Sequence, residues 1–375
     1  MKRILSAFLA AVFFLSLTVS ASAEEEKAAG KVIFDTDIAY LNDDTIALFM
    51  LCQADRNGDL ELLGVCTVGG NVFAAEATTA ALRQLELIER TDIPVYQGTD
   101  VPLAGFRNME EESKIYGVPR FCGAYWDFGA GVFSDMEARP TDYHDLNKEP
   151  FFGYAEKEAE SQNAWDFMIE QVHRYPGEVT IMSVGPATNV ATAIKKDPDF
   201  VKDAAGIIYM GGDIDVPGNA TPAAEMNWFY DPDAIRLCLG SDWKSQIVVP
   251  DDLARQIRLT QSVYDCLSER EQQLITALIL TKQKTFDGEA ANYAWDVVVP
   301  AIYLKPELIL DLQTRYLTVE TESVLNSGRA VSWVEHSHNS LDTGEGMPEG
   351  VRPVQIVMKI DEEAFWDFYI DLLSQ

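Results

Sequence analysis

Short apolar runs alternate with longer stretches of helical periodicity along most of this chain. Val32 to Phe34, Leu60 to Val68, Ile93 to Tyr96, Val179 to Val184, Gly206 to Met210 and Ile247 to Val249 read as buried strands. Between them, Ala74 to Glu89, Asn163 to His173, Thr188 to Lys195 and Pro232 to Leu239 repeat apolar residues at helical spacing, and Ile46 to Met50 reads as the inner face of a further helix. Strands separated by helices predict an α/β fold: an open, mostly parallel, Rossmann-like sheet flanked by helices on both faces. Near the end the pattern changes. Tyr316 to Glu320, Ala330 to Glu335 and Val354 to Ile360 read as antiparallel strands with Ser327-Gly328 as a turn, before a last helix from Glu362 to Leu373. A C-terminal antiparallel extension is therefore expected.

Two segments break the alternation. Met1-Lys2-Arg3, the apolar stretch Ile4 to Val19 and Ala21-Ser22-Ala23 have the charged, apolar and small-x-small order of a secretory signal. Residues 1–23 are thus expected to direct export, to a periplasm or the medium, with 24–375 forming a single domain. No other stretch is long and apolar enough to predict a membrane span. From 106 to 154 there is little periodicity but many aromatic residues, Phe121, Trp126 and Phe128 among them. That content argues for order, as a lid or rim over a site or as subunit packing.

Composition narrows the partners. With 29 Lys and Arg against 60 Asp and Glu, the formal net charge is −31. Such a surface repels nucleic acid and anionic lipid and disfavours phosphorylated substrates, which leaves a neutral or cationic small molecule. Five widely spaced cysteines form no CxxC motif, and Cys52, Cys66 and Cys238 lie in apolar runs.

Four aspartates, Asp35, Asp37, Asp43 and Asp44, then fall between the first strand and the first helix. Helix capping would use one or two of them. Four repel one another unless a cation neutralises them, and hard oxygen ligands suit Ca²⁺ or Mg²⁺ better than Zn²⁺. Further blocks follow in order. Thr67-Val68-Gly69-Gly70-Asn71 ends the second strand, and Ser183-Val184-Gly185-Pro186-Ala187-Thr188-Asn189 makes another strand-to-helix turn. Met210-Gly211-Gly212, Gly218-Asn219 through Glu225-Met226-Asn227 and Asp231-Pro232 form a long polar loop, and Trp295-Asp296 comes late. Buried amides and carboxylates suit a polyhydroxyl sugar, whose hydroxyls must all be paired. Neither a phosphate-binding loop with Lys nor a Gly-x-Ser-x-Gly elbow is present. His336 and His338 share strand spacing, but their surroundings read as a solvated loop.

From about Lys31 to the C-terminus, these blocks resemble the inosine–uridine nucleoside hydrolase family, Ca²⁺-dependent N-ribosyl hydrolases. The sequence departs from that pattern at Ala39, where Gly is usual, and at Leu41, where many members carry another Asp; an Ala at such a turn predicts backbone strain. The resemblance implies a Ca²⁺ held by Asp37, Asp44, Asp296 and the Val184 carbonyl, with Asp37 as general base and Asp35 orienting the ligand carboxylates. It implies that Asp43 and Asn227, with Asn71 nearby, hold the ribose 2′ and 3′ hydroxyls, while Asn219 and Glu225 hold the 5′ hydroxyl. Trp295 stands where many pyrimidine-preferring members carry a His acid, as in purine-preferring members, and is expected to stack on the base opposite an aromatic such as Trp126. A nucleoside substrate and a homo-oligomer, dimer or tetramer, follow from the same likeness. Two other readings stay open: a non-catalytic exported nucleoside- or sugar-binding protein of this fold, and a Mg²⁺ phosphatase of the haloacid-dehalogenase type using Asp251-Asp252.

Overall fold

The computed structural model describes residues 30–146, 148–282, 294–333 and 347–375. The expected signal segment, the last two residues of the strand expected from Ala330 to Glu335, and His336 and His338 lie outside them. The strands are β1 (Gly30–Thr36), β2 (Leu60–Thr67), β3 (Val95–Gln97), β4 (Trp126–Asp127), β5 (Val132–Phe133), β6 (Val179–Ser183), β7 (Gly206–Met210), β8 (Gln246–Val249), β9 (Ile309–Val319), β10 (Ala330–Trp333) and β11 (Arg352–Ile360). Nine of them form one sheet in the order β10-β9-β11-β8-β7-β6-β1-β2-β3.

β1 explains how the sheet is built. Its side chains alternate between two helical layers, Val32 and Phe34 entering one apolar cluster and Ile33 the other. All three are fully buried, as expected for a strand covered on both faces. β1 pairs in parallel with β2 on one side and β6 on the other. From there the chain order runs outward in both directions, so a crevice opens at the carboxyl ends of β1 and β6. Asp35 stands opposite both Ser183 and Cys66 in register, so Asp37, Val184 and Val68 leave the sheet side by side.

The C-terminal strands continue this sheet. β11 is antiparallel to β9 but parallel to β8, so the stretch read from Val354 to Ile360 is not purely antiparallel. β9 also begins seven residues before Tyr316. Its first half leaves Leu310 and Leu312 exposed, which blurs the apolar–polar contrast on which a sequence reading depends. The helix expected from Ala74 to Glu89 ends at Leu87, with Ile88 as its cap and Glu89 in the left-handed region. The third strand is Val95–Gln97.

The aromatic segment from 106 to 154 contains a helix, Met109–Tyr116, and the β4–β5 ribbon. Met109, Cys122, Tyr125 and Met136 pack with Ala220, Met226, Phe229 and Tyr230 in a third apolar cluster. Arg107 fastens its start: the guanidinium pairs with Glu112, donates to the Phe229 carbonyl at 2.8 Å and lies over the Phe229 ring. The segment is therefore anchored on the long polar loop beside the crevice.

Between β1 and the helix Asp43–Asn57, the chain turns through Ala39, Tyr40, Leu41 and Asn42. Strain was expected at Ala39, but the left-handed residue is Leu41, with φ +53°. Its side chain is buried in the main apolar cluster, and burial opposes the roughly 1–2 kcal/mol that this conformation costs. The conformation is also clamped from outside the turn. Gln84, buried on the helix Ala74–Leu87, accepts from the Leu41 N–H at 2.9 Å and the Thr45 hydroxyl at 2.7 Å, and donates to the Ala39 carbonyl at 3.1 Å. Its other N–H reaches the Ala80 carbonyl within its own helix. All of the amide is used.

Replacing Gln84 by Met keeps the length of the side chain and strands the Leu41 N–H, while the Thr45 hydroxyl and the Ala39 carbonyl keep their own bond at 3.0 Å. A buried unpaired group costs roughly 1–3 kcal/mol, so Gln84→Met should lower stability in urea unfolding by about 1–3 kcal/mol. A loss under about 0.5 kcal/mol would show that the turn holds itself without the clamp.

Candidate active site

The end of β1 turns its acids into different surroundings. Asp35 faces inward, accepting from Asn189 Nδ2 at 2.8 Å and Ser183 Oγ at 3.3 Å. Burial pushes its pKa up to about 7. Its partners are thus Asn189 and Ser183 rather than the other carboxylates, and its work is to tie β1 to β6 and to the helix Thr188–Lys196. Asn189, not singled out from sequence, also donates to the Thr67 carbonyl and so links three carboxyl ends of the sheet.

Asp37 sits in the crevice, where its Oδ2 accepts the Asn71 N–H at 2.6 Å. Gly70 and Gly185 pack so closely on it that neither could carry a Cβ; on Gly185 that atom would stand 2.8 Å from the Asp37 nitrogen. Asp44 is fully buried in the first turn of its helix. One of its oxygens accepts the Thr36 hydroxyl, and the other accepts Asn42 Nδ2 at 2.6 Å and Asn71 Nδ2 at 3.2 Å. Thr36 and Asn42 were missed in the sequence because either reads as an ordinary strand or capping residue.

Asp296 closes the cluster from the far side of the chain. Oxygens of Asp43, Asp44 and Asp296 all lie within 4.8 Å of one another. Asp37 adjoins this trio through Asp44 and Asp43. The expected ligand set therefore overlaps the converging trio at Asp44 and Asp296, with Asp43 as its third member. Burial, and then the neighbouring carboxylates, push Asp37 and Asp296 well above the usual carboxylate range; burial also raises Asp44. Among the described residues, no Lys, Arg or His pairs with Asp37, Asp44 or Asp296. Hard oxygens drawn together without a protein cation fit a divalent ion such as Ca²⁺ or Mg²⁺.

A cavity of about 410 Å³ opens over the cluster. Of the expected site residues, Asp37, Asp43, Asn71, Val184, Asn219, Glu225, Asn227, Trp295 and Asp296 line it, while Asp44 lies beneath. The polar residues on its far wall are held by backbone. Glu225 caps the helix Met226–Tyr230, taking the N–H groups of Asn227, Trp228 and Gly212, and burial pushes its pKa up to about 7. Asn219 accepts from the Met226 N–H at 2.9 Å. Asn227 donates to the Val184 carbonyl at 2.8 Å and the Met210 carbonyl at 3.2 Å. Carboxylate and amide groups have more capacity than these bonds use, so each can also meet a hydroxyl.

Behind this wall, Asp252 accepts the N–H groups of Ile214 and Asp215, and Arg315 holds the Asp215 carboxylate with two nitrogens. Asp251 pairs with Arg255 and with Trp295. The acidic pair that a phosphatase reading requires is thus spent on the scaffold. The aromatic wall also differs from expectation. Phe121 lines the cavity with Trp295, whereas Trp126 stands edge-on to Phe133 at a neighbouring cavity. Nothing in local spacing separates Phe121 from the other aromatics of its segment. The two described histidines are occupied elsewhere, His144 between Asp142 and Glu158 and His173 between Asp197 and Asp203. All five cysteines are free thiols.

Comparisons with known proteins point to one family. The family model for inosine–uridine preferring nucleoside hydrolase matches residues 32–367. "Probable uridine nucleosidase 1" of Oryza sativa subsp. japonica is 33% identical over 357 residues, covering 92% of this chain and 96% of that protein. A pyrimidine-specific ribonucleoside hydrolase of Escherichia coli is 27% identical, covering 80% of this chain and 86% of its own. Among solved structures, a plant nucleoside hydrolase superposes with a TM-score of 0.70 at 25% identity, over 92% of this chain and 99% of that one. The chain belongs to the inosine–uridine preferring nucleoside hydrolase family, and is a hydrolase of N-glycosyl bonds.

Proposed function

We propose that this protein is an exported, Ca²⁺-dependent hydrolase that cleaves ribonucleosides to free base and ribose and prefers purines. The carrying observation is one cavity lined by the buried carboxylates Asp37 and Asp296, by the backbone-held Glu225, Asn219 and Asn227, and by Trp295, with Asp43, Asp44 and Asp296 drawn together at its floor. Export rests on the pattern of residues 1–23. Assembly as a dimer or tetramer belongs to the same reading, supported by exposed Ile115, Val118, Phe128 and Val132 on the anchored aromatic segment.

In this reading Asp37, Asp44, Asp296 and the Val184 carbonyl hold the ion, with Asp43 close enough to share that task. A bound Ca²⁺ would supply the charge that lets the carboxylates ionise together and would acidify water beside it. Asp37 takes the proton of the attacking water as general base. Asp43 and Asn227, with Asn71, hold the 2′ and 3′ hydroxyls; Asn219 and Glu225 hold the 5′ hydroxyl. As positive charge develops on the sugar ring, the surrounding carboxylates stabilise it where water is excluded.

The preference for purines rests on Trp295 and Phe121. An indole is no acid at neutral pH, but it offers a stacking face, and a purine presents a larger one than a pyrimidine. The curated relatives named above are called uridine or pyrimidine enzymes, so base choice is where this reading departs from them.

Three outcomes test these claims. Chelation should abolish release of ribose from inosine and added Ca²⁺ should restore it, while Asp37→Asn should cost at least about a thousandfold in kcat; full activity after exhaustive metal removal would end the metal reading. Stability should also depend on pH in a defined direction. Carboxyl groups whose folded pKa is raised above the ordinary 3.8 stabilise the metal-free fold while protonated, and that stability is lost as pH rises through the raised values. The melting temperature of the chelated protein should therefore fall from about pH 5 to about pH 8, and the gap to the Ca²⁺-loaded protein should widen. A gap that narrows with pH would contradict the assignment. Finally, inosine, guanosine or adenosine should be cleaved with higher kcat/KM than uridine and cytidine, and Trp295→Ala should weaken purine turnover without changing Ca²⁺ affinity. Equal or better hydrolysis of uridine would show that Trp295 only packs.

A further inference from the structure

Trp295 is more constrained than a packing role requires. Its indole Nε1–H donates to Asp251 Oδ1 at 2.7 Å. Asp251 is fully buried just past the end of β8, and its other oxygen accepts Arg255 Nε at 2.6 Å. A second Arg255 nitrogen reaches Asp213 Oδ1 at 3.1 Å. Asp213 is itself almost wholly buried, and burial, followed by the charges of Asp251 and Glu225, pushes its pKa up to about 9. Arg255 thus bridges two buried carboxyl groups, Asp251 and Asp213. The result is a buried acidic side chain held by Arg255 and aimed at the edge of an indole that lines the cavity.

We propose that Asp251 is a positioning residue for base recognition: held by Arg255, it fixes the plane of Trp295 so that the indole presents its face to the nucleobase. This rests on the stacking role given to Trp295 above. A charge-assisted hydrogen bond is shorter and about twice as strong as a neutral one. A ring whose single N–H is held this way cannot turn about its Cβ–Cγ bond without leaving a buried carboxylate with one donor fewer. The same contact acts on the electrons of the ring. Donation to a carboxylate enriches the indole face, and such a face attracts positive charge, which grows on a base being protonated as it leaves. The contribution of Asp251 should thus be larger in the transition state than in the bound substrate, and so appear in kcat as well as KM.

A double-mutant cycle on inosine hydrolysis by the Ca²⁺-loaded protein tests this. Asp251→Asn and Trp295→Phe, the latter keeping an aromatic face but no N–H, should each lower kcat/KM about tenfold. In the Trp295→Phe background, Asp251→Asn should cost less than about twofold, because its only route to the base is gone. Inhibition by free ribose, which has no base, should stay within about twofold in all variants. Should Asp251→Asn not fold, Arg255→Lys is the second lever: a loss on inosine that disappears in Trp295→Phe is expected, and no loss overturns the proposal. Losses that multiply in the double variant, or a weakening of ribose inhibition equal to that on inosine, would overturn it too, since Asp251 would then act on the sugar loop or the whole fold. A wild type unable to cleave inosine would refute the stacking reading and this role with it, whereas an active wild type with multiplicative losses would refute only the role of Asp251.

Discussion

Asp37, Asp44 and Asp296 are carboxylates taken out of water with no protein cation beside them among the described residues. Burying an unpaired charge is among the costliest things a fold can do, so such a group either keeps its proton or waits for an ion. Much of the surrounding structure serves to hold these groups in that state. Thr36, Asn42 and Asn71 supply donors to Asp44 and Asp37, and Gly70 and Gly185 leave the room that lets backbone close on Asp37. Gln84 fixes the turn that carries the acids from β1 into the next helix. The sheet contributes by ending β1 and β6 at one place, where neighbouring strands diverge and a crevice is unavoidable.

The opposite wall follows another logic. Glu225, Asn219 and Asn227 each spend part of their hydrogen-bonding capacity on backbone and face the cavity with the rest. A side chain bound in this way loses little freedom when a ligand arrives, so a hydroxyl meets a group already in place. Asp252 and the Arg315–Asp215 pair extend the same support to the loop behind it. Asn227 also joins the two walls, since its amide nitrogen reaches the carbonyl of Val184 at the end of β6.

The net charge of −31 gives this site its context. A strongly acidic surface around an acidic cavity favours a cation and a neutral substrate over a phosphorylated one. Within the cavity the charges are managed locally: among the described residues Asp37 and Asp44 stand without a protein cation, whereas Asp251 is paired with Arg255 and accepts the indole N–H of Trp295. Both arrangements depend on exclusion of water, which makes each contact stronger and each unpaired group costlier.

Periodicity alone predicted the parallel sheet and its longest helices, because strands covered on both faces must be apolar throughout and helices must repeat every three to four residues. The acids, the glycines beside them and the Asn219–Asn227 loop were legible too, since their chemistry is carried by residues adjacent in the chain. Contacts between distant segments were not. Asp35 was expected beside the other carboxylates, but alternation along β1 turns it toward Asn189. Strain was expected at Ala39 and fell on Leu41, whose N–H is held by Gln84, more than forty residues away. Phe121 rather than Trp126 reached the cavity, and Asp251 found Trp295, through packing of surfaces that no local spacing encodes. Sequence thus determined which chemistry the chain carries and on which strand ends it sits. Tertiary structure decided which groups meet, because side-chain direction, burial and cross-element hydrogen bonds are properties of the assembled fold.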